Sequence, residues 1–289
     1  MMCDYQTNKV YLAEGIKGYP KVAENLLRLL YDEEIEMEYL PYSKDKKHVW
    51  ARDYMPIQLD EERFVKYCYN PDYLDEYPDY IPPYEKMCRK LKIAGNVSPF
   101  IIDGGNVVKL RNRVIMTDKV FVENRPYTDQ FIKRKLEENF ECEVVFIPWD
   151  KAEMFGHADG MVRAIGENYV LMNNYADFDM QFREKLKALL ISKGFIVEEL
   201  FYNRPRPSKY SWCYINFLQV GDRILMPGVG LEEDYMALEQ IQQYYPHSKV
   251  ILVPGCQDLV RDGGALNCIS WTIKDINIST LLTRHYQQA

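Results

Sequence analysis

Apolar and polar positions along this chain recur in one order: a short apolar or β-branched run, a loop, a stretch with apolar residues at helical spacing, and a second short run. The clearest copy opens at Arg113–Met116, continues through a helical pattern about Gln130–Glu138 and closes at Glu143–Pro148. A second runs from Tyr169–Met172 through Met180–Ile191, where Leu186, Leu189 and Leu190 mark the apolar stripe, to Ile196–Phe201. A third runs from Arg223–Met226 through Leu231–Tyr244 to Lys249–Pro254. Two weaker copies precede these. One is Val10–Leu12, a helix about Tyr19–Leu30 and Met37–Pro41; the other is Phe64–Tyr67, a helix about Pro83–Leu91 and Val97–Phe100.

Taking Leu12, Lys66, Met116, Met172 and Met226 as equivalent points, the spacings are 54, 50, 56 and 54 residues. A period of this length predicts supersecondary units that are stacked or arranged around an axis. No Pro/Gly/Ser-rich linker or change of composition divides the chain, so residues 1–289 are read as one α/β domain.

Each closing run is followed by a segment of polar, glycine or aromatic residues: Trp50-Ala51-Arg52-Asp53, Asp103-Gly104-Gly105-Asn106, Gly156-His157-Ala158-Asp159-Gly160, Tyr214-Ile215-Asn216-Phe217 and Asp262-Gly263-Gly264-Ala265-Leu266-Asn267-Cys268. Five units around an axis would let these segments converge on one site, since loops on a rigid scaffold commonly carry function. A lone cysteine such as Cys268 more often packs as a small hydrophobe, and a lone histidine such as His157 is usually a satisfied structural one. As a pair they suit nucleophilic catalysis, in which a thiolate needs a proton-transfer partner that need not be near it in sequence. Asp53 and Asp159 add forked acceptors for a planar guanidinium, although Asp53 beside Arg52 also fits a structural ion pair. A serine-elbow hydrolase is excluded by the lack of any Gly-x-Ser-x-Gly segment.

Charge and cysteine usage narrow the partners. Thirty-six basic against 43 acidic side chains give a net charge of −7 with no basic cluster, which disfavours nucleic acid and anionic membranes and suits a small cationic substrate. No apolar stretch is long enough to span a bilayer, and the first residues have neither the basic start nor the apolar run of a signal peptide. Seven cysteines, an odd number without Cys-x-x-Cys spacing, read as free thiols of a reducing, cytoplasmic setting. None of the four histidines is paired at zinc-ligand spacing.

At the five segments the chain resembles the agmatine deiminase and bacterial peptidylarginine deiminase family: Arg52-Asp53-x-x-Pro56, Asp103-Gly104-Gly105-Asn106, Gly156-His157-x-Asp159, Tyr214-Ile215-Asn216-Phe217 and the Gly-Gly pair before Cys268 follow that family's order. The resemblance implies the pentein fold, five αββαβ-type repeats around a pseudo-fivefold axis. It implies Cys268 as nucleophile, His157 as general acid/base, and Asp53 and Asp159 as guanidinium ligands. Asn216, Glu153, Trp50, Asp103 and Asn106 become the substrate-binding set, with no metal or organic cofactor. The implied reaction is hydrolytic deimination through a covalent thiouronium adduct, foremost of agmatine to N-carbamoylputrescine and ammonia in putrescine synthesis. Peptidyl-arginine is the alternative substrate, and a homo-oligomer is compatible with the resemblance.

The chain departs from the family pattern at Asn267, where histidine is usual, at Asp262 in place of a third glycine, and at Tyr54-Met55. Two further readings stand beside hydrolysis. A guanidinium-binding module without catalysis would need only the carboxylates, and an amidinotransferase would share the thiouronium chemistry but deliver the carbon to an amine. Arg204 and Arg206, each followed by proline, are read as part of an extended solvated loop; the alternative is that one reaches the site, where its fork would favour a substrate carboxylate, which agmatine lacks.

Overall fold

The computed structural model describes residues 1–153, 155–203 and 208–276; Arg204 and Arg206 lie outside the described residues. The chain folds into five three-stranded sheets of one design. In each, the middle strand pairs antiparallel with a short first strand and parallel with a third. A parallel pair cannot be joined by a tight turn, so a helix carries the chain from the middle strand to the third. That requirement is the origin of the strand–helix–strand repeat seen in the sequence.

The strands, in chain order, are β1 (Lys9–Ala13), β2 (Glu36–Leu40), β3 (Ile57–Gln58), β4 (Phe64–Cys68), β5 (Gly95–Ile101), β6 (Val108–Lys109), β7 (Arg113–Thr117), β8 (Glu143–Ile147), β9 (Val162–Ala164), β10 (Tyr169–Met172), β11 (Ile196–Glu199), β12 (Leu218–Val220), β13 (Arg223–Pro227), β14 (Lys249–Val253) and β15 (Ser270–Ile273). Sheets β3-β4-β5, β6-β7-β8, β9-β10-β11 and β12-β13-β14 are continuous in sequence. The first sheet, β15-β1-β2, instead joins the two ends of the described chain, with Lys9 opposite Ile273 and Leu12 opposite Ser270.

The crossover helices α1 (Pro20–Asp32), α2 (Tyr84–Lys90), α3 (Asp129–Phe140), α4 (Met180–Ser192) and α5 (Glu233–Tyr244) bury apolar stripes at i, i+4 spacing, such as Leu26 and Leu30, Ile132, Leu136 and Phe140, and Leu186 and Leu190. Local signals set their starts. Pro20 occupies the first turn of α1, the Thr128 side chain accepts from Phe131 N to cap α3, and Asp179 accepts from Phe182 N to cap α4. All five helices lie within about two residues of the spans read from periodicity. Of the middle strands, β1 is covered throughout, β7, β10 and β13 expose only their first residue in part or in full, and β4 is half-buried at Lys66 and Cys68.

Successive sheets form a ring. Helix α3 packs on β5 of the preceding sheet, α4 on β8, and α1 on β14, so the first sheet's helix meets the last sheet's outer strand. Before each first strand the chain makes a short turn: Ala51–Tyr54, Gly104–Asn106, Ala158–Gly160, Ser211–Ile215 and the turn through Leu266–Ile269. Consecutive turns touch. They are the five polar segments of the sequence, now gathered at the axis.

The five first strands were not read from the sequence. They are two to four residues long, too short for an alternation pattern to register. Among the described residues no helix is long and apolar enough to cross a membrane.

Ring closure rests on Trp271. Its indole is buried, packs on Tyr11 at 5.2 Å and Phe64 at 6.0 Å between centroids, and donates from Nε1 to Pro56 O at 2.7 Å, so it ties the first sheet to the second. Trp271→Ala should cost about 3–5 kcal/mol, and Trp271→Phe distinctly less, read from urea denaturation midpoints. An unchanged midpoint for the alanine variant would remove this residue from the closure.

Candidate active site

The turns bring Cys268, His157, Asp53, Asp159, Asp103 and Asn216 together, all buried. A cavity of about 250 Å³ opens onto Trp50, Asp53, His157 and Cys268 at its base. Its walls and mouth carry Tyr69, Tyr73, Tyr77, Tyr80 and Phe155.

Cys268 lies two residues before β15, on the last turn. Its backbone N–H and its thiol both point to Asn216 Oδ1, at 3.3 and 3.2 Å, and its sulfur is 3.9 Å from Asp159 Oδ2. Asp159 Oδ2 also accepts from Asn267 Nδ2 at 2.6 Å. The residue standing where the resemblance leads one to expect histidine therefore fixes the carboxylate beside the thiol. His157 bonds through Nε2 to Asp103 Oδ2 at 2.9 Å, and its Nδ1 lies 3.6 Å from Asp53 Oδ1. Asp53 Oδ1 in turn accepts from Gly105 N at 3.0 Å.

Two glycines permit this closeness. A Cβ on Gly105 would sit 2.6 Å from His157 Nδ1 and 2.7 Å from Asp53 Oδ1, and one on Gly264 would sit 2.1 Å from the Trp50 ring.

The electrostatics follow from burial and like charge. Burial would lower the pKa of His157, but Asp53, Asp103 and Asp159 outweigh it and hold the imidazole protonated above neutral pH. Burial raises Asp53, His157 opposes that, and the neighbouring Asp103 and Asp159 raise it further. The Cys268 thiol is pushed well above its ordinary value by burial, then by Asp159 and Asp53. In the site without substrate, sulfur thus carries its proton at neutral pH. Among the described residues no lysine or arginine pairs with Asp53 or Asp159.

Other expected residues have protein partners. Asp103 serves His157 and also accepts from Tyr73 OH at 3.3 Å. Asn106 Oδ1 accepts from Thr117 N at 2.8 Å, and Glu153 accepts from Phe155 N and Gly156 N, shaping the loop that delivers His157. Neither Asn106 nor Glu153 lines this cavity, because each carboxamide or carboxylate is turned to backbone donors. Arg52 does not pair with Asp53; its guanidinium faces Asp4 at 4.0 Å. The tyrosine wall was missed in the sequence, although six tyrosines between residues 67 and 84 signalled it. All seven cysteines are free.

A family model for the Porphyromonas-type peptidyl-arginine deiminases matches residues 6–273. The chain belongs to this family. A provisionally named agmatine deiminase of Enterococcus faecalis is 39% identical over 57 residues, which is 20% of this chain and 15% of that protein. One of Vibrio parahaemolyticus, likewise provisionally named, is 20% identical over 297 residues, spanning 85% of this chain and 80% of that protein. The crystallised C. jejuni agmatine deiminase superposes with a TM-score of 0.77 at 16% identity, covering 95% of this chain and 96% of that one. The fold is thereby the pentein fold that the resemblance implies, and its five units are those of the repeat.

Two outcomes test the site's geometry and charge. Gly105→Ala should leave the protein folded, since side chains can shift, yet lower kcat/KM about 100-fold by parting His157 from Asp53. A variant with near-normal kcat/KM would show that this contact has no bearing on turnover. Alkylation of Cys268 by neutral iodoacetamide should rise about tenfold per pH unit from pH 7 to 9, following the thiolate fraction of a thiol whose pKa is raised. A cationic chloroacetamidine should react readily at pH 7, because it offsets the carboxylates. Equal iodoacetamide rates at pH 7 and 9 would mean a thiolate in the resting site.

Proposed function

We propose that this protein hydrolyses a guanidino compound to a ureido product and ammonia, with Cys268 as nucleophile and agmatine or a closely related free guanidino amine as substrate. The observation that carries the reading is the pair of buried carboxylates, Asp53 and Asp159, without a lysine or arginine partner among the described residues, beside a buried thiol and a protonated imidazole. Buried carboxylates are costly unless paired, and a planar guanidinium is the cation whose donors fit two of them at once.

The chemistry follows from the charges. A bound guanidinium neutralises the carboxylates that raise the Cys268 pKa, so the thiol proton leaves to solvent as substrate settles. Sulfur attacks the guanidinium carbon, and the protonated His157 gives its proton to the departing nitrogen, which leaves as ammonia. The adduct is a cationic thiouronium on Cys268. Neutral His157 then takes one proton from water as the water oxygen attacks the same carbon. The C–S bond breaks with its electron pair on sulfur, the ureido product departs and the second water proton passes to solvent, where the released ammonia becomes ammonium; the emptied site then takes a proton back onto Cys268.

Four observations favour a free amine over a peptide substrate. The cavity wall is aromatic, suited to an alkyl chain and to an ammonium through cation–π contact. Among the described residues, the lysine and the outer aspartate that line the cavity are already engaged: Lys47 with Asp79, and Asp262 with Lys46 and Tyr19. The relatives from E. faecalis and V. parahaemolyticus bear the agmatine deiminase name, and the net charge of −7 favours a dication.

The test is kcat/KM for agmatine, free arginine and a short arginine peptide under one set of conditions. Agmatine should lead by at least about tenfold, a difference of one cation-recognition contact. Turnover of arginine or the peptide but not agmatine would overturn the substrate. Cys268→Ala should abolish turnover of all three while remaining folded, and Asp159→Asn should lose at least about 100-fold. Near-normal turnover in Cys268→Ala would remove the mechanism.

A further inference from the structure

A second buried polar centre lies where the first strands of three sheets meet. Lys109 on β6, Arg163 on β9 and Arg52 surround a cavity of about 20 Å³, together with Asp4, Gln219 and Asn267. Asp4 is the only carboxylate on its wall. Its Oδ1 lies 2.7 Å from Lys109 Nζ and 4.0 Å from Arg52 Nη1, and its Oδ2 lies 3.2 Å from Arg163 Nη2. Three buried cations thus share one anion.

The other ionisable wall groups do not restore the balance. Burial raises the Cys3 thiol to about 11 and raises Tyr5 as well, so both are neutral at physiological pH. Asp4 itself is held ionised: burial would raise it, but Lys109, Arg52 and Arg163 together keep it well below the usual carboxylate range. Burial, with Arg52 adding to it, pulls Lys109 below its ordinary value against the pull of Asp4. Arg52 Nη2 is buried and has no hydrogen-bond partner, and its Nη1 reaches Asp4 only at 4.0 Å. The acids of the active site do not close the account, since Asp53 and Asp103 face His157, and Asp159 faces Asn267 Nδ2 and the Cys268 sulfur.

We infer that this cavity binds one small monatomic anion, of halide size, held by Arg52 Nη2 with the Lys109 and Arg163 charges around it. A volume of about 20 Å³ has room for one such ion. A water would serve Arg52 Nη2 and the unpartnered Asn267 Oδ1 on the same wall, but it would leave three buried cations with one carboxylate and the Phe217 ring, 4.6 Å from the Arg163 guanidinium, as their counter-charge. The site is coupled to the nucleophile through backbone: Arg52 N donates to Cys268 O at 2.9 Å, and Arg52 Nε donates to Asn267 O at 3.4 Å. Occupancy therefore steadies the turn that carries the thiol.

Two measurements on the intact protein decide the matter. Crystals grown or soaked in sodium bromide should give an anomalous peak within the cavity, next to Arg52. In solution, bromide should raise Tm by about 3 °C over gluconate at equal ionic strength, the shift expected when ligand exceeds Kd roughly tenfold. Lys109→Met should abolish that difference. No anomalous peak in the cavity, with ordered water there instead, overturns the proposal; so does a bromide-specific shift that persists undiminished in Lys109→Met. Should that variant fail to fold, the anomalous map of the unmodified protein is decisive by itself.

Discussion

Three carboxylates, those of Asp53, Asp103 and Asp159, are buried around a single imidazole, and this concentration of negative charge governs everything near it. An isolated ionised carboxylate in a protein interior is too costly to persist, so each must be matched by a proton, a hydrogen-bond donor or a cation. The protein supplies only part of the match: the proton on His157, the Gly105 N–H to Asp53 and the Asn267 amide to Asp159. The remainder is left for a cationic ligand. The same field keeps the Cys268 thiol protonated.

Such a cluster needs a scaffold that brings distant segments to one point while keeping water away. The ring meets both needs. Each sheet contributes one turn at the axis, and each turn is held by a first strand paired to a buried middle strand. Because the turns come from five separate sheets, the acids, the base and the thiol reach the axis from different directions, which no single loop allows. Along the first strands the polarity reverses, with Arg52, Lys109 and Arg163 gathered about Asp4.

Much of this was legible in the sequence, for physical reasons that can be named. The middle strands and crossover helices are long enough, and buried strongly enough, to impose a period on the chain, so Arg113–Met116 and Tyr169–Met172 were read almost to the residue. The polar segments stood out because glycine and aspartate interrupt apolar runs. Three things were hidden. First strands of two to four residues leave no pattern. The partners of Asp103, Asn106 and Glu153 depend on where Thr117 and the backbone of residues 155 and 156 come to rest, which spacing does not encode. The tyrosine wall reads in sequence as composition alone, because the two short turns at Asp72–Leu74 and Pro78–Tyr80 have no periodicity.

The closing of the ring by β15 against β1 has a consequence for the order of events during synthesis. As the chain emerges, four of the five turns, with the acids and the histidine, are available before residue 268 is made. The thiol reaches its place only when β15 finds β1, more than 250 residues back along the chain. The cluster of thiol, imidazole and carboxylates is thus incomplete until β15 is seated, and it assembles in one step with topological completion.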